Sequence, residues 1–548
     1  MRNVICCFVG AALMTVSCSK KTAPVTVDPP VVPPVVVPPT GNTTSLVYLS
    51  ASGKLAYNKF ANEGETNKDN IIPDFSTAGY KGAGVALPEI PVKKTITTVA
   101  GDNRLNIQNA INEVKNLPPD ANGFRGAVLL QAGTYEVEGT LVIDQSGVVL
   151  RGVGQGASGT IIKATKKTQH DLIELKGTGS GLAEVTGTRK KITSSYVPTG
   201  ALSFDVESTA GYMVGDRIAV YRVPNVDWIN ALDMAQYGWT AQDYAISHER
   251  RIVAINGNTV TLNAPIVDPL QTKYGGGFIY KTNVNGRISN SGVENLRVTS
   301  YYTNDDDEDH GWNGIVLTRA ENCWVKQVTA QYFGYAAVSV STLSVFNTIE
   351  ECAMLEPKSQ TTGSRKYSFN LEAGASFNLF QRCYTNGGRH DYVSGSRVPG
   401  PNVFLDSYSI NTKADIGPHH RWATGILFDN IYGGEIHVQN RKAMGSGHGW
   451  AGAQTMFWNC KSSNYDIKVE SPAGAKNWGI GCIGPQKNGA GYWESWGAHV
   501  LPRSLYIAQL SDRLGSTAVN NITTAAQRNG SIYDLLKNWA GQGKLPEL

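Results

Sequence analysis

Residues 377–383 read FNLFQRC, residues 401–407 read PNVFLDS, residues 425–431 read GILFDNI and residues 454–460 read QTMFWNC, so one seven-residue pattern recurs along the second half of the chain. Three weaker copies, GVENLRV, NCWVKQV and FNTIEEC, precede them, and successive copies lie 24 to 31 residues apart. A repeat of this length built from short strands is typical of a solenoid, in which each repeat buries its apolar face only against its neighbours. The sequence therefore predicts a stack of parallel strands.

The pattern also predicts which side chains face the interior. In a parallel sheet, equivalent positions of successive strands form a column with a spacing of roughly 4.8 Å. We expect the cysteines of this column to pack as buried thiols rather than form disulfides or a metal cluster. The predicted columns are Val298, Val328, Cys352, Cys383, Ser407, Ile431 and Cys460 at the last position of the pattern, and Phe380, Phe404, Phe428 and Phe457 at the fourth.

Composition narrows the class of protein and of ligand. The chain has 548 residues, more than one compact core usually holds, and its 59 glycines and 17% charged residues suit short strands joined by turns rather than a coiled coil or disorder. A net charge of +4 is too small to indicate nucleic acid but is compatible with an acidic polymer. We expect a monomer that does not bind nucleic acid.

The first 45 residues are interpreted as an export signal and a spacer. Residues 1–18 combine Arg2 with a short apolar run, which is the layout of a secretory signal peptide, and their last four residues, TVSC, resemble a bacterial lipobox. A lipobox usually has Leu where this chain has Thr15, so plain secretion is the alternative. Residues 19–45 are a proline-rich linker. We expect an exported protein held to the bacterial outer membrane only through a lipid anchor.

The first half of the chain carries the start of the solenoid. In residues 46–183, a segment with helical apolar spacing precedes the glycine-punctuated strands GAVLLQAGTYEV, GTLVID and GVVLRGVG. This order resembles the pectate-lyase-like superfamily, which implies an all-β, right-handed parallel β-helix with an N-terminal capping helix. Residues 184–290 alternate like antiparallel hairpins and predict an inserted small β subdomain. Residues 291–500 are then the main β-helix with its groove, and residues 501–548 a partly helical C-terminal cap.

A second ladder pairs histidines with aromatic residues two positions later: His390 with Tyr392, His420 with Trp422, and His448 with Trp450. Positions two apart on a strand share a face, so the ladder predicts three imidazoles in a column, one rung apart, beside an aromatic surface suited to sugar rings. Imidazoles titrate near neutral pH and can transfer protons. The alternative is that this face belongs to the core and the histidines are structural. We favour the outward orientation.

Cationic side chains accompany the histidines. Arg389, His419 and Arg421 adjoin the histidine positions of the ladder, and Arg441 lies seven residues before His448. Guanidinium groups bind carboxylate or sulfate through two parallel hydrogen bonds. The sequence therefore predicts an anionic polysaccharide as ligand. The predicted binding residues are Arg389, His419, Trp312, Trp422 and Trp450.

Four longer strings, GGRHDYVSG, GPNVFLD, GPHHRWATGILFDN and NRKAMGSGHGWAGAQTMFWNC, resemble bacterial β-helix proteins that break down polysaccharides, commonly polysaccharide lyases. The resemblance implies β-elimination beside a uronic acid: a cationic group neutralises the carboxylate, a base removes the C5 proton and an acid assists the leaving oxygen. The residues that map onto these roles are Arg421 or Arg441 for the carboxylate, His420 or His390 for the base, and His448 or Tyr392 for the acid.

Other functions are left open by the sequence. A glycoside hydrolase acting on a galacturonan-like polymer needs two carboxylates on neighbouring rungs, and a glycan-binding protein without activity would use the same aromatic surface. No cofactor is predicted; the acidic run NDDDED at 304–309 is an alternative calcium site, although a solvated turn explains it better. The sequence does not choose between glycosaminoglycan and pectin-like substrates. The carboxylates available to a hydrolase are Asp391, Asp406, Asp415 and Asp429.

Overall fold

Successive rungs of parallel strands form the body of the protein in the computed structural model, which describes residues 41–179, 181–530 and 532–546. The predicted signal peptide and most of the predicted linker lie outside these ranges. Each rung contributes strands to a long sheet, sheet 1, and most rungs also contribute one to a shorter sheet, sheet 2. The predicted fold class is confirmed: an all-β, right-handed parallel β-helix with a capping helix and an inserted β subdomain.

Sheet 1 consists of two adjoining strips whose strands pair in parallel from rung to rung. The first strip contains Val92–Ile96, Gly126–Leu130, Val148–Arg151, Gly292–Ser300, Trp324–Gln331, Thr348–Glu350, Leu379–Gln381, Pro399–Ile410, Ala423–Gly433, Gly452–Ala453, Met456–Trp458, Trp478–Ile480 and Tyr492–Glu494. Its longer strands continue into the second strip, which also contains Gly133–Val137, Thr160–Ala164, Ala353–Leu355, Tyr384–Asn386 and Lys461–Ser462.

Sheet 2 is also parallel. It contains Leu141–Ile143, His170–Lys176, Gly311–Thr318, Ala336–Ser341, Tyr367–Leu371, His390–Ser394 and Gly417–Pro418. A further three-stranded parallel sheet follows it and contains Ile436–Val438, Asp466–Val469 and Gln486–Asn488. The ladder histidines of the sequence lie around the last strands of sheet 2 and the turns that follow them.

The phenylalanine column lies inside the β-helix, as predicted. Phe380, Phe404, Phe428 and Phe457 are fully buried. Phe404 pairs with Phe380 on one side and with Phe428 on the other. The ring centroids of successive members are 4.8, 5.1 and 5.3 Å apart, as expected for aromatic side chains on neighbouring parallel strands.

The cysteine column follows the predicted register except at its first member. Ser407 pairs with Ile431, and the five cysteines of the described chain are buried free thiols. Val298, however, pairs with Ala330, because it is Leu296 that pairs with Val328. The register predicted for Val298 is therefore wrong by two residues, which leaves the same face inward because side chains alternate with period two.

Helices cover two parts of the β-helix. The α-helices of the described chain are α1 (Arg104–Lys115), α2 (Val226–Ala231), α3 (Met444–Gly447), α4 (Leu505–Ile522), α5 (Ala525–Asn529) and α6 (Tyr533–Trp539). The apolar side of α1 packs on the first rungs. Leu505 and Leu510 of α4 pack with Val403 and Leu427 on the outer face of sheet 1, where we expected a cap on the last rung. None of the described helices combines the length and apolar character needed to cross a bilayer.

The insert is an antiparallel sheet with its own core. Its strands are Ala183–Glu184, Lys190–Lys191, Ser203–Asp205, Arg217–Arg222, Ile246–Asn256, Thr259–Leu262 and Gly277–Asn283. Ile218, Val220 and Ile279 belong to its buried cluster. Residues 226–245 reach back to the main β-helix, where the ring of Trp228 packs edge-on against Trp422 with centroids 4.8 Å apart.

Candidate active site

A groove of about 650 Å³ opens beside the end of sheet 2. Within the described part of the chain its lining contains three guanidinium and three imidazole groups but no aspartate or glutamate. A cavity of about 730 Å³ near the C-terminal helices is lined instead by Glu89, Lys326 and Glu351, with no imidazole or aromatic ring among its described residues. Of these two cavities the first is the one with imidazole groups, and its cationic and imidazole members are Arg389, Arg421, Arg441, His419, His420 and His448.

Strand ends and turns place these side chains. His390 is the first residue of its strand and pairs with Tyr367, the first residue of the preceding strand of sheet 2. His419 and His420 directly follow the short strand Gly417–Pro418. Side chains at strand ends escape the alternation of the strand interior, so adjacent residues such as His419 and His420 can converge on one groove.

The imidazoles form a connected cluster. The centroids of His390 and His419 are 4.0 Å apart, those of His419 and His420 4.6 Å, and those of His420 and His448 4.5 Å. The ladder predicted a straight column of His390, His420 and His448, whereas in the structure His419 connects His390 to the other two.

A buried ion pair anchors one end of the cluster. His390 is fully buried, and its Nδ1 lies 2.6 Å from the carbonyl oxygen of Asp415. Because a carbonyl can only accept, Nδ1 carries the proton. The Asp415 carboxylate accepts a hydrogen bond from Arg441 Nη1 at 2.8 Å. Burial raises the pKa of Asp415, but its interactions with His390 and with the Arg441 guanidinium outweigh burial and hold the pKa below its usual value.

The imidazoles are neutral at neutral pH. Burial is the largest cause: it lowers the pKa of His390 to about 4, although the Asp415 carboxylate opposes the shift. Burial also lowers the pKa of His420 to about 3 and that of His448 to about 4, and it holds the pKa of His419 below its usual value; nearby arginines add to all three shifts. The positive charge of the groove therefore belongs to its three guanidinium groups.

Two trios of side chains have the geometry to hold a metal ion. The ligand atoms of His419, His420 and His448 lie within 4.8 Å of one another, as do those of His390, Asp415 and His419. Neutral imidazole is a ligand for zinc and similar metals. The three guanidinium groups around the cluster, however, give the groove a positive potential that favours an anion over a cation.

The acidic run at 304–309, considered above as a calcium site, is engaged in ion pairs. Asp305 accepts from Lys358 Nζ at 2.8 Å, and Glu308 accepts from Arg365 Nε at 2.6 Å. These contacts connect the run to the segment that forms one wall of the groove, and they occupy oxygens that a calcium ion would need.

The outward aromatic surface predicted from the second ladder is wrong for two of its members. Tyr392 is fully buried in the core, and its hydroxyl donates to the Cys383 carbonyl at 3.1 Å. Trp422 is 1% exposed and donates from its indole nitrogen to Asp268 of the insert at 3.1 Å. Both lie on strand or turn positions that face apolar surroundings, so neither lines the groove.

The insert supports the turn that carries His448. The indole of Trp239 donates to the Gly447 carbonyl at 3.0 Å, and Trp450, partly buried, packs in the same aromatic cluster. Gly445 has a φ of 62°, and a β-carbon there would lie 2.1 Å from His448 Nε2, so only glycine fits beneath the ring.

Tyr367 was not predicted as a site residue. It lines the groove, and its ring centroid is 5.0 Å from that of His390 and 5.6 Å from that of His419. Burial raises the pKa of its hydroxyl, which therefore stays protonated. The signal was present in the sequence, because Tyr367 stands two residues before Phe369, the position that histidine takes on three later rungs.

The four aspartates considered for a hydrolase are all buried, and none lines the groove. Asp415 is held by Arg441 as described. The contacts of the others are Ser368 for Asp391, Arg503 and Gln527 for Asp406, and Ser504 and the Tyr506 amide for Asp429.

Comparisons with known proteins give weak matches. No protein-family model and no curated protein matches the chain. Among solved structures it is similar to ORF18 of Geobacillus virus E2, at 13% identity and a TM-score of 0.39, covering 82% of this chain and 65% of that one. It is also similar to the catalytic domain of a GH87 α-1,3-glucanase in complex with nigerose, at 11% identity and a TM-score of 0.33, covering 75% of this chain and 59% of that one. A third match is a tailspike protein of E. coli bacteriophage HK620 in complex with a pentasaccharide, at 10% identity and a TM-score of 0.37, covering 73% of this chain and 56% of that one. The chain thus spans less than two thirds of each of these proteins, and similarities this low transfer neither ligand nor reaction.

Proposed function

We propose that the protein is a polysaccharide lyase that cleaves an anionic, uronic-acid-containing polysaccharide by β-elimination in the groove beside sheet 2. The observation that carries the proposal is the composition of the groove, where guanidinium and imidazole groups converge without a lining carboxylate. Guanidinium groups suit a uronate, and hydrolysis would require two carboxyl groups facing the sugar. The resemblance of the histidine-bearing strings to polysaccharide lyases supports the same class.

Each step of an elimination has a side chain in the groove. Arg389 and Arg421 line the groove and are both partly exposed, so they are available to the uronate carboxylate. Neutral His420 accepts the C5 proton, and the protonated hydroxyl of Tyr367 assists the leaving oxygen. Arrival of the carboxylate raises the pKa of His420 towards the range useful to a base.

The histidines then divide by position. His420 and His448 line the groove and can reach a bound sugar. His390 is fully buried behind His419, so it acts as a positioning residue that keeps Asp415 and Arg441 in place. Trp450 and Trp422 support the groove wall from the side of the insert.

The experiment is a substrate screen on the purified protein. Glycosaminoglycans, pectins, alginate and glucuronan are supplied separately, and both the ultraviolet absorbance of an unsaturated uronate and new reducing ends are followed. At least one substrate is expected to give both signals. Reducing ends without absorbance would make the protein a hydrolase, and binding with neither signal would make it a glycan-binding protein.

A variant then connects the signal to the groove. Arg389→Gln removes one cationic partner of the carboxylate, so the Michaelis constant should rise roughly tenfold or more. Lys413→Gln, an exposed cation outside the groove lining, is the matched control and should leave the Michaelis constant unchanged. Equal effects of both substitutions would mean that net charge, and not the groove, attracts the polymer.

A further inference from the structure

A pair of aromatic rings continues the groove along sheet 2. Trp312 and Tyr335 lie on successive rungs, since the Tyr335 amide donates to the Trp312 carbonyl at 2.8 Å. Their rings are stacked, 16° from parallel with centroids 6.2 Å apart, and both are partly exposed. Tyr335 is in turn 5.2 Å from Tyr367, which lines the groove. We call Trp312 and Tyr335 the aromatic platform.

Local packing fixes the orientation of the platform. A β-carbon on Gly334 would lie 2.5 Å from the Trp312 ring, so the indole lies flat against the backbone of the next rung. The Tyr335 hydroxyl donates to Glu372 Oε1 at 3.0 Å and accepts from Asn370 Nδ2 at 3.2 Å. Flat rings with fixed polar groups at their edge match a sugar, which has an apolar face and hydroxyls around its rim.

The charge of the platform is opposite to that of the groove. Glu372 is the one charged group among the hydrogen-bond and ring contacts described for Trp312 and Tyr335. Its oxygens accept hydrogen bonds from sugar hydroxyls but repel a second uronate carboxylate. The groove, by contrast, presents Arg389 and Arg421. Neighbouring rungs are roughly 4.8 Å apart, so sugars a few rungs apart meet different charges.

Resting on the proposed function, we propose that the aromatic platform is a subsite for an uncharged sugar next to the uronate bound in the groove. The substrate is then a polymer in which uronic acid alternates with a neutral sugar, as in glycosaminoglycans, and not a polymer made of uronic acids alone, as alginate and polygalacturonate are. The groove then recognises the repeating disaccharide in two ways: the arginines attract the uronate carboxylate, and the neutral sugar stacks on the platform.

The test compares two kinds of polymer and two variants, one at the platform residue Trp312 and one at Glu372 beside the platform. Wild-type protein should have a kcat/KM at least about tenfold higher on an alternating polymer, chondroitin or hyaluronan, than on polygalacturonate or alginate. Trp312→Ala should raise the Michaelis constant for the alternating polymer about tenfold while kcat changes less than twofold. Tyr301→Ala, a partly exposed aromatic outside the platform, is the control and should change neither constant.

Glu372→Gln keeps a hydrogen-bond acceptor for Tyr335 but removes the charge, so it should improve kcat/KM on polygalacturonate or alginate relative to the alternating polymer. It also serves if Trp312→Ala does not fold, as judged by its thermal unfolding. Equal kcat/KM of the wild-type protein on both kinds of polymer, or an unchanged preference in Glu372→Gln, would overturn the subsite while leaving the lyase proposal standing. Absence of unsaturated products from every polymer would instead overturn the lyase proposal.

Discussion

The interior of sheet 1 and the groove beside sheet 2 are built from the same rungs but follow different rules. Interior side chains such as Phe404 and Phe428 occupy equivalent mid-strand positions on successive rungs, and their rings stack on one another. Groove side chains such as His420 and His448 stand at strand ends and in turns, whose lengths vary along the β-helix. The repeated mid-strand positions therefore specify the scaffold, whereas the irregular strand ends and turns form the site.

The two regions also differ in how their polar atoms are satisfied. The interior columns are apolar or weakly polar and need few partners. Around the groove, His390 Nε2, His419 Nδ1 and His448 Nδ1 are buried and have no hydrogen-bond partner among the described residues. Such atoms cost about 1–3 kcal/mol each. The groove is therefore the less stable region, and a bound ligand has buried donors and acceptors to satisfy there.

The largest expected effect is in the interior. Phe404→Ala should lower the free energy of unfolding by about 3–5 kcal/mol, because it leaves a cavity between two stacked rings. Urea unfolding measures the change, and Val253→Ala, at a residue that is 48% exposed on the insert, is the control. At low temperature the folded fraction of Phe404→Ala should retain turnover. A loss below about 1 kcal/mol would mean that the column does not hold the rungs together.

Acid should act on the groove instead. The unfolded chain protonates histidine near pH 6.5, whereas burial holds the pKa of folded His390 at about 4. Between these values the unfolded state binds the additional proton, so the free energy of unfolding falls as the pH decreases through this window and is fully present above it. The contribution of His390 is on the order of 3 kcal/mol, from about 1.4 kcal/mol per pKa unit.

His390→Gln keeps a donor for the Asp415 carbonyl, but glutamine does not bind a proton in this pH range. The variant should therefore lose less stability than the wild-type protein between pH 7 and pH 4. Arg389, Arg441, Asp415 and His419 surround position 390 in both proteins, so the comparison isolates the protonation of the His390 side chain. Urea unfolding at both pH values measures the difference. Identical acid sensitivity of the two proteins would show that His390 does not titrate in this window.

The histidine in the groove should separate turnover from stability. His420→Ala is expected to retain the thermal unfolding of the wild-type protein while losing at least about 100-fold in turnover, the usual scale for a general base. The control is His499→Ala. His499 is exposed, its Nδ1 contacts the Gly481 carbonyl, and it does not line the groove. Loss of stability with turnover falling only in proportion would return His420 to a structural role.

The smallest expected effect is that of metal removal. Since the guanidinium groups make the groove positive, dialysis against a chelator should leave turnover unchanged. Turnover that falls and is restored by zinc would place a metal ion on His419, His420 and His448. Restoration by calcium alone would point instead to an oxygen-rich site such as the acidic run at 304–309.

The sequence predicted the scaffold better than the site for a physical reason. Buried columns depend on side-chain alternation, which survives changes in turn length, so even the shifted Val298 still faces inward. The second ladder applied the same alternation across strand ends, where it does not hold. Tyr392 consequently faces the core although His390, two residues earlier, reaches the imidazole cluster.

Other parts of the site depended on contacts between distant segments. The indole of Trp239 in the insert donates a hydrogen bond to the turn that carries His448, more than 200 residues later, and no local sequence pattern predicts this contact. The pairing of Glu372 with Tyr335 likewise requires the rung-to-rung register. Tyr367 could have been found, because it shares the ladder position of the histidines.

The column of thiols inside sheet 1 has a practical use. Burial raises the pKa of Cys383 to about 12 and likewise raises that of Cys352, and an un-ionised, enclosed thiol is inert towards alkylating reagents. Labelling can occur only when neighbouring rungs separate. The rate at which a thiol reagent modifies the protein therefore measures how often neighbouring rungs separate. Mass spectrometry of the labelled peptides would show which rungs separate first.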